Sequence, residues 1–449
     1  MRKQIIILSA LVLTAASVNA QTFQQALFLD GYRLSYRYNP ALQNQDAFLS
    51  VGQWENQSRN NFGAASFLYP RGEEVVTALH SSVTPEQFLG SLNADNYLGG
   101  NINFNLFSHG WRKDNAYHTI EANVRAVYSV SVPIEIFAIA KLGTGDTNYD
   151  LSGLSLGGNA FAELAYGYSN QLADFISVGA RIKLLVGVDA LHYRLSRMDL
   201  TLDENAYTAT LEADMDLTSR WRKIRTDQDG YLNFLDISAK DRWKLPSGAG
   251  LAADLGVVIT PLEGLTLSAS LVDFGGILWY YGNAGKSQGT VQFDGVKELS
   301  LEEIKNRDFK RQFEGVLDDF VSSLKIKSIA GRKSLEAIPF NVNLGIRYEL
   351  PFYRALSLGA TGNYLGLKGM SYREVRGALA WNPWKWLGVM GNAGTGTFGP
   401  VWGFACDLAI NRFRVNVGYS DGFSGKVPYT HTPLGPNNKV VTLGLTYDL

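Results

Sequence analysis

Only one cysteine, Cys406, occurs in 449 residues, so the chain cannot close an intramolecular disulfide. Stability in an oxidising compartment would have to come from chain pairing rather than cross-links. Charge is sparse as well, at 18% of residues, and balanced: 41 basic against 42 acidic side chains leave a net charge of -1. That balance supplies no general pull toward nucleic acid or anionic lipid, and no nucleic-acid partner is expected. After the N-terminus no segment approaches roughly 18 uninterrupted apolar residues, the length of a spanning helix. A membrane crossing by the mature chain is therefore left to a closed barrel, the other structure that pairs every backbone polar group.

Recognised catalytic and cofactor patterns are missing too. The glycines of "GTGTFG" at 394–399 are followed by an alternating strand pattern, not by the helix whose N-terminus would hold a pyrophosphate. In "GNAGKS" at 282–287 Tyr280 stands where a phosphate loop requires its first glycine. His80, His109, His118, His192 and His431 show no paired metal-ligand spacing, and "DQDG" at 227–230 reads as a solvated turn. No cofactor, no metal and no enzymatic activity are expected.

What is present is aromatic and glycine-rich: 22 Tyr, 23 Phe and 46 Gly against 13 Pro, a mix that favours strands and tight turns. The opening "MRKQIIILSALVLTAASVNAQTF" sets Arg2 and Lys3 before a short apolar run and ends it in small residues. This pattern predicts a cleaved export signal over residues 1–20. No cysteine follows the expected cleavage site, so no lipid anchor is expected there.

Alternation with a period of two then recurs along the chain. Ile120, Ala122, Val124 and Ala126 alternate with Glu121, Asn123 and Arg125; Ile176, Val178, Ala180, Ile182 and Leu184 alternate with Ser177, Gly179, Arg181 and Lys183. "FRVNVGYS" at 413–420 and "VVTLGLTYDL" at the C-terminus read the same way. Several runs reach or exceed the roughly 9 to 11 residues of a tilted membrane strand, whereas soluble strands average about five or six. The expected fold is all-β, a transmembrane antiparallel β-barrel of about 14 strands over residues 47–449, with Trp381, Trp384 and Trp386 suited to a membrane–water interface. One stretch breaks the pattern: residues 296–327 carry Phe313, Leu317, Phe320 and Leu324 at helical spacing and predict a helical insertion.

With the apolar face toward lipid, the lumen would hold Glu121, Arg125, Glu163, Arg181, Lys183, Asp189, Asp254, Arg347, Glu349, Asp407, Arg414 and Asp448. Their mixed signs predict an interior filled by ion pairs rather than a constriction of one sign.

Several stretches in order ("YNPAL" at 38–42, "LSGLSLGGNAFAELAYGYSNQLADFISVGARIKLLVG" from Leu151, "GLAADLGVVITPLEGLTLSASLVDFGGILWY" from Gly250, and the closing "GFACDLAINRFRVNVGYSDGF" and "KVVTLGLTYDL") resemble an uncharacterised outer-membrane β-barrel family of Bacteroidota-type bacteria. That family is distantly similar to the long-chain fatty-acid transporters of the outer membrane. In those transporters a tripeptide like Asn39-Pro40-Ala41 lies in an N-terminal segment that closes the lumen, so the resemblance implies a plug or periplasmic segment over residues 21–46. Thr442, Gly444, Tyr447 and Leu449 are similar to the C-terminal signal read by the outer-membrane barrel assembly machinery, with Leu449 where phenylalanine is more usual. The resemblance implies a location in the outer membrane among its lipids and passive transport of a small ligand, hydrophobic molecules among the candidates. Barrels that serve the type IX secretion apparatus are a second relative by type, and imply the alternative of a non-transporting docking or accessory barrel. No particular protein partner is implied.

Overall fold

The computed structural model describes residues 23–71, 74–142, 148–202, 207–218, 222–226, 230–239, 246–280, 283–293, 326–329, 331, 333–367, 370–422 and 435–449. The expected export signal at 1–20, all but the last two residues of the expected insertion at 296–327, and residues 227–229 of the expected solvated turn lie outside them.

Among the described residues, fourteen antiparallel strands close into a barrel. In chain order they are β1 (Phe48–Ser50, resuming as Gln53–Asn60), β2 (Asp95–Lys113), β3 (Ala116–Pro133), β4 (Ser155–Ala173), β5 (Ile176–Leu202), β6 (Gly248–Leu262) and β7 (Leu265–Tyr280). They continue as β8 (Lys333–Ala337, resuming as Phe340–Leu350), β9 (Tyr353–Leu367), β10 (Met370–Trp384), β11 (Leu387–Gly396), β12 (Gly399–Ile410), β13 (Phe413–Gly422) and β14 (Asn437–Asp448). Each strand pairs with the next, and β14 pairs with β1 through Leu49 opposite Tyr447 and Trp54 opposite Leu443. Closure leaves no sheet edge, which a bilayer would not tolerate.

The sidedness is that of a protein turned inside out. On β5, Ile182 is 67% exposed while its neighbours Arg181 and Lys183 are each 2% exposed. Leu443 and Leu445 on β14 are likewise exposed, and Thr442 and Thr446 are buried. A water-soluble sandwich would reverse that assignment, so the outer face of these strands is the face a bilayer covers. At one rim the strands are joined by two-residue turns at 114–115, 174–175, 263–264, 351–352, 385–386 and 411–412. Asp114, Gly264 and Asn411 take positive φ there, the conformation that tight hairpins demand and that these residue types accept most readily. The opposite rim carries all the long connections, such as 61–94 between β1 and β2 and 134–154 between β3 and β4, beside a two-residue turn at 397–398. The β4–β5 pair continues toward it, and β5 is extended by pairing with Tyr207–Thr218, itself paired with Asn283–Phe293.

An aromatic band circles the outside near the short-turned rim. Trp111 stacks between His109 and His118 at centroid distances of 5.1 and 5.3 Å, Trp384 lies parallel to Trp386 at 5.0 Å, and Phe413 meets Tyr447 edge-on. Trp381, Trp384 and Trp386 are all exposed. Amphipathic rings at that height suit the headgroup region.

Candidate functional site: the lumen and the segment within it

Residues 23–46 run inside the barrel before the chain enters β1. Helix α1 (Phe23–Phe28) is too short to persist alone in water, yet all six of its residues are buried. Packing supplies what length does not. Phe23, Leu27, Phe28, Leu29 and Leu34 form one apolar cluster with the wall residues Ala378, Ala380, Met390 and Ala405. The wall is otherwise polar, and the segment answers it with polar side chains. Gln24 Nε2 donates to Thr361 Oγ1 at 3.2 Å and Gln25 Nε2 to Thr442 Oγ1 at 3.0 Å. Arg33 pairs with Asp448 at 2.7 Å and with Asp46 at 3.0 Å. Tyr36 and Tyr38 donate to Glu121 at 2.8 Å and Glu55 at 2.7 Å. From the wall, Arg347 reaches the Leu27 carbonyl and Asp30, and Asn382 reaches the Phe28 carbonyl.

Asn39, Pro40 and Ala41 dock on β5, β6 and β7. Asn39 Nδ2 donates to Ser268 Oγ at 2.8 Å and to the Val257 carbonyl at 3.1 Å, while its Oδ1 accepts from the Ala41 amide at 2.9 Å. The approach is possible because two glycines face one another on the wall, Gly179 on β5 and Gly256 on β6. A Cβ on Gly179 would run into the Pro40 carbonyl and the Ala41 nitrogen, and one on Gly256 into Asn39 Oδ1.

Four cations and four carboxylates interlock deeper in the lumen. Arg125 pairs with Glu163 at 3.0 Å and Asp273 at 2.8 Å. Lys183 pairs with Asp273 at 2.5 Å and Asp254 at 2.8 Å. Arg181 joins Asp254 at 3.0 Å to Glu121, which Arg37 of the segment approaches at 3.5 Å. Charges withdrawn from water need such partners. The Arg181 guanidinium also lies 5.1 Å from the Tyr36 ring centroid, tying network to segment. Arg414 is paired with Asp407 and lies 3.4 Å from Asp448; Arg347 lies 3.2 Å from Glu349, which is only half-buried.

Strict alternation misplaces two residues. Asp189 leaves the inward set: a bulge at Val188 puts it opposite Ala160, on the face away from buried Phe161 and Ala190. Asp273 would share the outward face of Leu271, but a bulge and a φ of 66° turn it inward, a conformation aspartate accepts more readily than most residues. Tyr372, Glu374 and Arg376 form a second inward group on β10, with Arg376 at 2.6 Å from Glu374. Their alternation with Arg373, Val375 and Gly377 carries the signal in sequence. Of the C-terminal set, Thr442 and Gly444 face inward, while Tyr447 and Leu449 lie on the outer face.

Between the segment and the wall lies a cavity of about 80 Å³, lined by Gln24, Arg37 and Tyr38 on the segment's side and by polar residues of the wall. Burial pushes the phenol of Tyr32 up to about 12, and those of Tyr36 and Tyr38 well above their ordinary value. Docking thus favours the neutral phenols: its contribution is complete below the ordinary phenol range and is lost as pH rises through that range toward the raised values. Alkaline difference absorbance between the intact chain and a form lacking residues 21–46 should show Tyr32 ionising only near pH 12, and Tyr36 and Tyr38 only well above the ordinary phenol range. Their ionisation at pH 10 would contradict the docked arrangement.

Among the described residues no helix is long and apolar enough to cross a membrane, and no cluster of His, Cys, Asp and Glu could hold a metal. Exterior, closure and lumen together define a membrane-spanning β-barrel with an occupied interior. The chain belongs to a family of unknown function (DUF5723), whose model matches residues 40–419. No curated protein matches it in sequence. Among solved structures it is similar to the Pseudomonas putida toluene transporter TodX (8% identity, 96% of this chain and 98% of that one, TM-score 0.44). It is also similar to a Pseudomonas aeruginosa FadL homologue (12% identity, 96% and 98%, TM-score 0.44) and to the Ralstonia pickettii toluene transporter TbuX (8% identity, 92% and 93%, TM-score 0.43). The fold is assigned from the strand pairing itself.

Proposed function

We propose that this protein is an outer-membrane barrel that passes a small molecule by diffusion, with residues 21–46 acting as a plug whose displacement opens the route. The observation that carries this reading is the cavity beside the segment: a lumen meant only as a solid support would have no reason to leave a polar space between a separable segment and the wall. The asymmetry of short and long connections supports an orientation with the two-residue turns toward the periplasm. Nothing in the lumen's described lining resembles a nucleophile–base pair, and catalysis forms no part of the proposal.

Flux into liposomes tests it. The form lacking residues 21–46 should admit small solutes at least tenfold faster than the intact chain, and the intact chain should still exceed protein-free vesicles. Vesicles that stay sealed with both forms would remove the transport reading.

A further inference from the structure

Among the described residues that line the cavity beside the segment, one cation has no carboxylate at ion-pair distance. Arg37, Arg125, Arg181, Lys183 and Arg376, which also line it, each have a carboxylate at ion-pair distance. Arg59 on β1 does not. It is 5% exposed, and its Nη2 donates to Gln57 Oε1 at 2.8 Å. Its guanidinium lies 4.8 Å from the Tyr372 ring centroid, and its Nε has no hydrogen-bond partner. The Glu374 carboxylate, to which the Tyr372 hydroxyl donates, is also bonded by Arg376, Asn438 and Gln24. A buried guanidinium beside an aromatic ring, with its Nε left unpaired, is suited to receive a carboxylate through its N–H groups.

The neighbouring groups define the rest of the ligand. Asn101 and Asn103 on β2, opposite Gln57 and Glu55 of β1, line the same cavity, and the Oδ1 of each is buried without a donor. Glu55 lies four residues before Arg59, about 13 Å back along the strand at 3.3 Å per residue, and among the described residues accepts hydrogen bonds from the neutral Tyr38 and Gln57. One end of the cavity therefore offers donors to an anion, and the other offers acceptors to hydroxyl or ammonium groups. An apolar molecule would leave both sets unpaired, which is the costly outcome for buried polar groups. We infer that the cavity at Arg59, Asn101 and Asn103 binds a small carboxylate that also carries hydroxyl or amino donors. The inference deepens the transport reading, on which it rests for the route the solute takes, by naming the class of solute.

Glycerate, glycerol and propionate serve as probes, since the last two lack in turn the carboxylate and the hydroxyl donors. The intact chain in detergent should bind glycerate at least tenfold more tightly than either. Arg59→Gln should abolish that preference, and Asn103→Leu should weaken glycerate while leaving propionate unchanged, with circular dichroism confirming an intact sheet for both. Equal binding of the three probes, or glycerate binding indifferent to Arg59→Gln, would overturn the site. Liposome flux separates the two ideas: glycerate binding that depends on Arg59, with no flux through either the intact or the 21–46-deleted form, would remove transport and leave the site standing.

Discussion

Replacing Arg181 with methionine should destabilise the barrel by about 3–5 kcal/mol, the usual cost of stripping one partner from a buried ionic group. Arg181 is held between Asp254 and Glu121, both almost wholly buried. Lys183 would still face Asp254 at 2.8 Å, but the cation left within ion-pair distance of Glu121 would be the more distant Arg37 at 3.5 Å, beside the neutral donors Tyr36 and Asn123. Much of the penalty should therefore reside on Glu121. The double variant Arg181→Met/Glu121→Gln should recover part of the loss, because it removes the stranded charge together with its counterion. Urea unfolding in detergent or lipid measures both. A single variant within about 1 kcal/mol of the parent, the worth of a solvated pair, would mean that water reaches this part of the lumen freely.

The second large effect is expected at the paired glycines. Gly179→Val and Gly256→Leu would each introduce a side chain where the Asn39-Pro40-Ala41 turn now sits, and at Gly179 the obstacle is backbone, which cannot swing aside. Expelling the turn also strips Asn39 of its bonds to Ser268 and to the Val257 carbonyl. Liposome flux through either variant should rise at least tenfold over the parent and approach that of the form lacking residues 21–46. Protease should cut the released segment while sparing the strands. Unchanged flux with a released segment would show that the segment does not obstruct the route.

The barrel was legible because lipid outside and polar groups inside impose a period of two on long runs, and Ile182 beside Arg181 and Lys183 states that rule within three residues. Chain closure was not legible: Leu49 opposite Tyr447 joins positions almost a whole chain apart, and no local pattern encodes such a pair. Bulges defeated the parity rule twice, releasing Asp189 from the inward set and recruiting Asp273, because one extra residue reverses every side chain after it. The notch that receives Asn39 was hidden for a different reason. Gly179 and Gly256 look like ordinary strand glycines until the segment is laid across them. Arg59 offered no sequence signal beyond its inward parity, since the want of a carboxylate at ion-pair distance among the described residues is a property of four strands brought together.

The seat of the N-terminal segment is assembled from distant parts: Glu121 from β3, Gly179 from β5, Ser268 from β7, and Thr442 and Asp448 from the final strand. The residues made first thus have no complete berth until those made last have zipped against β1. Full docking of the segment is therefore expected to follow closure of the seam, since Thr442 and Asp448 belong to the strand that closes it.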